Sequence, residues 1–141
     1  MDAAVRFMQL SESFGFTPDL VCFSHIIAAC SRNHDLAGAE RWFEHAKVCN
    51  LVPDIVCYTS LMQAYARTPN IPKVQELLAQ ANSFGIKADV VAHGSIVSSF
   101  ARARHAGVAE DWIVTTMKDQ NVEANEIVWT SVLSAHAFNN N

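Results

Sequence analysis

The sequence has few of the features that mark β-rich, secreted or membrane proteins. Its 141 residues include five glycines and four prolines, too few for a β-sandwich or barrel with many tight turns. No apolar run approaches the roughly 18–20 residues of a membrane-spanning helix, so we expect no membrane partner. The N-terminal stretch MDAAVRFMQLSESFGF lacks the basic start and long apolar core of a secretory signal, and it is too acidic and too poor in arginine for a transit peptide. No targeting segment is therefore visible.

Charge is also sparse. Only 17% of the residues are charged, and ten basic against 14 acidic residues give a formal net charge of −4. Proteins that bind nucleic acid usually have a basic excess, so such a function would require the basic residues to lie on one surface. Half of the residues are hydrophobic, which argues against a disordered chain.

Cysteine occurs four times, at Cys22, Cys30, Cys49 and Cys57, and no CxxC pair is present. Cys22 and Cys57 occupy the same position in successive copies of a repeated segment. This arrangement favours buried free thiols in a reducing compartment over a metal site or a set of disulfides.

The most informative feature is an internal repeat. Four related stretches begin 35, 35 and 36 residues apart. They are LVCFSHIIAACSR (20–32), IVCYTSLMQAYAR (55–67), VVAHGSIVSSFAR (90–102) and EIVWTSVLSAHAF (126–138). A period of this length is typical of solenoid proteins.

Each repeated stretch has the periodicity of a helix. In the first, Phe23, Ile26, Ile27 and Cys30 fall at i, i+3, i+4 and i+7, and the other copies keep this stripe. A second apolar segment follows a short polar break, as in LAGAERWFEHAK, IPKVQELLAQAN and VAEDWIVTTMKD. Each repeat is therefore predicted to be a hairpin of two helices.

The ends of the helices are marked at regular positions. Glycine or asparagine, the residues that tolerate a left-handed helix terminus, occupies one slot in every copy: Gly15, Asn50, Gly85 and Asn121. Asp or Asn, which are good N-caps, follows four residues later: Asp19, Asp54, Asp89 and Asn125. Helix stop, turn and helix start are predicted to recur in the same places.

These signals predict an all-α fold, a right-handed α-solenoid (superhelix) of stacked two-helix hairpins with a 35-residue period. The extra residue of the third full repeat is placed at the end of its second helix or in the turn. The single repeat array is divided into the second helix of a partial repeat (1–19), full repeats at 20–54, 55–89 and 90–125, and the first helix of a partial repeat (126–141). The partial repeats at both ends suggest a piece of a longer array.

Helical spacing also defines one stripe along the first helices. Reading from the second residue of each repeat, the stripe has a branched aliphatic, a small polar residue or glycine, another residue that is usually small, and an arginine. The arginines are Arg32, Arg67 and Arg102. Arginine near a helix C-terminus also complements the helix dipole. Stacked repeats, however, would align these three side chains in a row that could contact the phosphates of a nucleic acid while the remaining surface stays acidic.

The segments TPD-LVCFSHIIAACSR and VPD-IVCYTSLMQAYAR resemble the pentatricopeptide repeat (PPR) family, and the resemblance extends over essentially the whole chain. The sequence departs from the family pattern at Ala88 and Ala124, which replace the proline, and at Gly94, which replaces a polar residue. The resemblance implies sequence-specific binding of single-stranded RNA, about one base per repeat, within a longer RNA-processing or RNA-stabilising protein of a mitochondrion or plastid. The alternative is a tetratricopeptide-like protein-interaction scaffold that binds a peptide on the concave face.

The resemblance also implies roles for individual residues. The stripe's aliphatic residues would clamp bases: Val21, Val56, Val91 and Ile127. Each small residue would recognise a base edge together with the last residue of its own repeat, giving the pairs Ser24 with Asp54, Thr59 with Asp89, and Gly94 with Asn125. Thr130 lacks a partner in this chain. Guanine is implied for the first two full repeats and adenine for the third. Helix-start packing, solvent exposure and N-capping are the alternative interpretations of these same residues.

No catalytic or metal site is predicted. The six histidines form no HExxH motif, and neither a glycine-rich phosphate loop nor a G-x-S-x-G elbow occurs. His93 and His136 replace aromatic or apolar residues of other repeats, so both are predicted to pack in the core. We therefore expect no enzymatic activity, no cofactor and no small-molecule substrate, and we expect that flanking domains could add protein partners.

Overall fold

A computed structural model describes residues 3–68 and 70–139. Every regular element in these two ranges is helical, and none of the helices is long and apolar enough to cross a membrane. The elements are α1 (Ala3–Ser13), α2 (Leu20–Arg32), α3 (Leu36–Val48), α4 (Ile55–Ala66), α5 (Ile71–Ser83), α6 (Val90–Arg102), α7 (Ala106–Asp111), the π-helical segment π1 (Trp112–Met117) and α8 (Glu126–Asn139).

The residues form two compact units, Met1–Leu61 and Met62–Asn141, and the division falls within α4. In the first unit, α2 packs against α3. Its core is aromatic: the ring of Phe23 lies 6.1 Å from that of Trp42, and Phe43 meets Tyr58 edge to face at 5.0 Å. The predicted apolar stripe of α2 is the face that becomes buried there.

In the second unit, α6 packs against both α7 and α8. Trp112 lies at the centre, with its ring 5.5 Å from Phe100 and 6.2 Å from His93. His93 is fully buried, as its position in the repeat predicted. The aromatic slot of the repeat is therefore a core position at Phe23, Tyr58 and His93, whereas Trp129 in the last copy is 42% exposed.

The predicted N-caps are confirmed. In each case the side-chain oxygen accepts a hydrogen bond from the backbone N–H three residues later, which satisfies one of the unpaired donors at the helix start. The bonds are Cys22 N to Asp19 (2.9 Å), Cys57 N to Asp54 (2.9 Å), Ala92 N to Asp89 (2.9 Å) and Val128 N to Asn125 (3.1 Å).

The predicted left-handed helix stops are also confirmed. Gly15, Asn50, Gly85 and Asn121 all have positive φ, between 56° and 76°. After Asn50, the N–H of Leu51 bonds to the carbonyl of Ala46 at 3.0 Å, the hydrogen-bond pattern of a Schellman motif. Two further left-handed residues were not predicted: His34 (φ 61°) and Arg104 (φ 63°), which close the first helices of two hairpins.

The prediction for the extra residue of the third repeat was wrong. It lies neither at the helix end nor in the turn but within π1, where the helix that begins at Ala106 widens. Trp112 and Ile113 are buried, and the next buried residue, Met117, follows four positions after Ile113. In the first repeat, Ala46 follows only three positions after Phe43. A π-helical turn holds one more residue than an α-turn, so the buried face is kept.

Two predictions of burial were also wrong. His136 is only half-buried, and its Nε2 lies 3.2 Å from a carboxylate oxygen of Glu110 on α7, because α8 leaves this edge open to solvent. No disulfide joins the four cysteines, but Cys49 is exposed and Cys22 half-buried, whereas Cys30 and Cys57 are buried. Cys49 is the C-cap of α3, where the chain turns at the surface.

Candidate nucleic-acid interface

The four predicted base-clamping aliphatics are exposed. They follow the N-caps by two residues, on the side of each first helix opposite the aromatic core. Their exposed fractions are 58% for Val21, 50% for Val56, 70% for Val91 and 75% for Ile127. Exposure at the same repeat position in every copy rules out the alternative that these residues fill the core.

In the first unit, the predicted partners Ser24 and Asp54 lie together. The Ser24 hydroxyl donates to the carbonyl of Leu20 at 2.8 Å and lies 3.4 Å from Asp54 Oδ1. It also lies 3.2 Å from the Sγ of Cys57. Burial raises the pKa of the Cys57 thiol, which therefore stays neutral. Ser24 is itself 6% exposed, so the half-buried carboxylate of Asp54 is the more accessible member of the pair.

In the second unit, six of the predicted site residues line one groove of about 350 Å³. Members of all three predicted classes are present, base-clamping, base-recognising and phosphate-contacting. They are Val91, Ile127, Gly94, Asn125, Arg67 and Arg102. The first helices bring them together because α6 and α8 pack against each other, so that their N-terminal turns are neighbours. We call this cavity the unit 2 groove.

Two cations share the unit 2 groove. Arg67 lies in the turn just after α4, not on the helix as the stripe predicted, and Arg102 ends α6. Burial, and then the positive charge of Arg102, lower the pKa of Arg67, although an arginine remains protonated at neutral pH. Arg32 ends α2 in the first unit and is exposed. Like charges held close together favour an anion between them.

The remaining predicted residues have varied surroundings. Thr130 is exposed, and its hydroxyl donates to the carbonyl of Glu126 at 2.7 Å. The hydroxyl oxygen of Thr59 is buried and has no hydrogen-bond partner within the described ranges. Asp89 caps α6 and is exposed. Because Thr59 and Asp89 belong to different units, their pairing stays a prediction.

Comparison with known proteins supports the repeat assignment. Residues 18–67 match the model of a PPR repeat family. The chain is 26% identical to the crystal structure of the pentatricopeptide repeat protein PPR10 from maize, with a TM-score of 0.82, covering 94% of this chain and 19% of that one. Residues 18–67 therefore carry the sequence pattern of PPR repeats, and the chain has the fold of a PPR protein. The predicted all-α solenoid fold is thereby confirmed, whereas its handedness stays a prediction.

A second structure with this PPR fold is PPR10 in complex with an 18-nt psaJ RNA element, at 23% identity, a TM-score of 0.80, and coverage of 92% of this chain and 19% of that chain. The chain thus spans about a fifth of the length of the structures it matches. No curated protein is similar enough in sequence to match it.

The unit 2 groove also contains residues that had no assigned role. Gln63 and Ser98 share the arginine stripe, so their spacing could have identified them. Val128, which follows Asn125 by three residues on α8, had no such signal because it enters the groove from the neighbouring helix. Within residues 3–68 and 70–139, no three His, Cys, Asp or Glu side chains are grouped closely enough to hold a metal ion.

Proposed function

We propose that the chain binds single-stranded RNA, with about one base held by each repeat. The observation that carries this proposal is the unit 2 groove, which combines exposed aliphatic side chains, an amide and two arginines in a space of about 350 Å³. Single-stranded RNA presents the complementary chemistry, with apolar base faces, polar base edges and phosphates. PPR10, whose structure with RNA has the same fold, supports this choice of ligand.

Apolar contact would supply most of the affinity. Val91 and Ile127 are among the most exposed large aliphatic side chains of the second unit, and both face the unit 2 groove. A base inserted between them would leave water on both of its faces. Stacking contributes about 1–3 kcal/mol per base, and association itself costs several kcal/mol. Three repeats are therefore expected to bind RNA with a micromolar or weaker Kd.

Hydrogen bonding in the first unit favours guanine. The single proton of the Ser24 hydroxyl points to the carbonyl of Leu20 or to Asp54 Oδ1, so this hydroxyl can only accept a further hydrogen bond from a base. The carboxylate of Asp54 also only accepts. Guanine presents N–H donors on its Watson–Crick edge, and neither acceptor suits the N1 of adenine. We extend guanine to the repeat with Thr59 and Asp89 on the family resemblance.

We further infer from the family resemblance that the chain acts within a longer RNA-processing or RNA-stabilising protein of a mitochondrion or plastid. In that setting, each repeat would contribute one base to a longer recognised sequence. The weak binding expected of three repeats fits such a role, because affinity would accumulate over many repeats.

A charge reversal tests the phosphate contacts. Arg102→Glu should weaken binding to every RNA sequence and lower the salt dependence of binding, by a slope of about 1. Lys118→Glu, the same charge change beside π1 and outside the unit 2 groove, is the control and should have a smaller effect. Fluorescence anisotropy with labelled RNA at several salt concentrations measures both. Equal effects of the two substitutions would contradict the proposal.

A cap substitution tests base recognition. Asp19 and Asp54 both cap helices through the N–H three residues later, but only Asp54 lies beside a base-recognition residue of this chain. Asp54→Asn should therefore shift the preference of one repeat from guanine toward adenine, whereas Asp19→Asn should alter stability alone. If neither substitution alters RNA binding and a peptide library competes for the same surface, the protein-interaction scaffold is the better account.

A further inference from the structure

The base-recognition slot of the third repeat is filled from a neighbouring helix. Gly94 occupies the slot that holds Ser24 and Thr59 in the other repeats. A Cβ atom at Gly94 would lie 3.0 Å from the Cγ2 methyl of Val128. Val128 is 2% exposed, and a β-branched side chain in a helix has essentially one χ1 rotamer. The methyl group therefore has little freedom to move aside for a larger residue.

The first unit shows the same contact with the sizes reversed. Cys57 stands in the slot of Val128, three residues after the N-cap of its helix, and its Sγ lies 3.2 Å from the hydroxyl of Ser24. Cysteine has a single, unbranched γ atom, which leaves room for the serine. The pairs Ser24 with Cys57 and Gly94 with Val128 are thus two solutions to one packing constraint.

The exchange changes the chemistry offered to a base. Gly94, Asn125 and Val128 all line the unit 2 groove, so a methyl group stands where the first unit has a hydroxyl. Asn125 Oδ1 already accepts from the N–H of Val128 at 3.1 Å, which leaves the Nδ2 amide protons for a ligand. All four bases have an acceptor on the Watson–Crick edge, so one amide donor discriminates poorly among them.

We propose that Val128 is a specificity-determining residue of the third repeat: its methyl group excludes a side chain at Gly94, so this repeat holds a base mainly by apolar contact and accepts several bases. This inference rests on the proposed RNA binding. It predicts that base discrimination depends on position 128, on the helix that follows, as well as on the pair Gly94 and Asn125.

The first test is a double-mutant cycle on stability. Gly94→Ser alone should lower Tm, because the added atoms meet the Val128 methyl. In the background of Val128→Cys, which copies the pair found in the first unit, the same serine should cause little or no loss. A serine that costs the same Tm in both backgrounds would overturn the proposed contact.

The second test measures selectivity with short oligonucleotides of sequence GGX flanked by uridines, where X is each of the four bases in turn. The wild-type chain should bind the four with Kd values within about threefold, and the double variant Gly94→Ser, Val128→Cys should prefer one base by about tenfold. Binding with unchanged selectivity would overturn this inference alone. Failure of every variant to bind any oligonucleotide would overturn the proposed function, and this inference with it.

Discussion

The first and third full repeats build the same hairpin around a tryptophan with different chemistry. Trp42 stacks on His45, with ring centroids 5.5 Å apart and planes 1° from parallel, and its indole N–H has no hydrogen-bond partner within the described ranges. Trp112 instead donates its N–H to Nδ1 of His93 at 3.1 Å, and His93 Nε2 lies 3.2 Å from the Oε1 of Gln120. Both repeats thus bury a tryptophan ring at the same position, but the ring stacks on a histidine in the first repeat and donates a hydrogen bond to one in the third.

The two repeats also differ in helix length. The second helix of the first repeat is regular α-helix, whereas that of the third contains π1. Both bury a tryptophan, the following residue and a residue one turn later, so the extra residue is absorbed where the helix faces solvent, at Val114 and Thr115. The buried face, more than the number of residues, is what the hairpin conserves between its copies.

The largest loss of stability is expected when one residue is deleted from the second helix of the first repeat, compared with the equivalent deletion in the third repeat. Removing His45 should rotate the rest of α3 by about 100°, turn Ala46 away from the core and lower stability by more than about 3 kcal/mol. Removing Thr115 should convert π1 to α-helix with a change of about 1 kcal/mol or less, since the buried residues would then match the spacing of the first repeat. Circular dichroism and thermal unfolding measure both deletions.

The two deletions serve as controls for each other, since each removes one residue from an equivalent exposed position. If deleting Thr115 destabilised the protein as much as deleting His45, the π-helical turn would be an integral part of the core and the proposed equivalence of the two helices would be wrong.

An intermediate effect is expected at His93, where the third repeat has hydrogen bonds and the first has Phe23. Burial lowers the pKa of His93 below its ordinary value of 6.5. The unfolded state therefore binds more protons below about pH 6.5, and stability should fall as the pH falls through that value. His93→Phe should reduce the difference in Tm between pH 7.5 and pH 5.5.

The same substitution would leave the indole N–H of Trp112 without its acceptor, the situation already found at Trp42. It should therefore also lower the free energy of unfolding by about 1–3 kcal/mol at pH 7.5. Thermal unfolding at the two pH values separates the effects. A variant whose Tm depends on pH as strongly as that of the wild type would show that His93 is not the residue responsible.

The smallest expected effect concerns the left-handed residues that the hairpins share. A non-glycine residue at positive φ is strained by about 1–2 kcal/mol. Glycine would remove this strain, but its greater loss of conformational entropy on folding offsets part of the gain. His34→Gly should therefore stabilise the protein by about 0.5–1 kcal/mol. Asn50→Gly is the matched control and should gain less, since asparagine tolerates this conformation. Denaturant unfolding is sensitive enough to measure these changes in the free energy of unfolding. A loss of stability in His34→Gly would contradict the interpretation that His34 is strained at its positive φ.

Local signals in the sequence were sufficient for much of the fold. The N-cap at Asp54 and the helix stop at Asn50 are determined by side chains next to them in the chain, so their repetition identified every boundary of this kind. The π-helical turn, the contact between Gly94 and Val128 and the acceptor for Trp112 depend on residues that only packing brings together. Repeat position alone also led to the wrong prediction that His136 lies in the core, because the repeat pattern does not show that α8 has an edge open to solvent.

For the candidate site, spacing correctly grouped Val91, Gly94 and Arg102 on one side of α6. It did not show that Ser24 would be covered by Asp54 and Cys57, since burial of a small polar residue depends on the helix that follows.

We propose that the exposed stripe of the first helices forms a surface for single-stranded RNA, and the location of bound RNA decides this. NMR titration of the labelled chain with RNA containing the sequence GGA tests it most directly, because it detects weak binding and locates it. RNA bound at this stripe should shift the methyl resonances of Val91 and Ile127 and the resonances of the side-chain amide of Asn125. Shifts confined to the second helices, for example around Lys73 and Glu76, or no shifts at all, would contradict it.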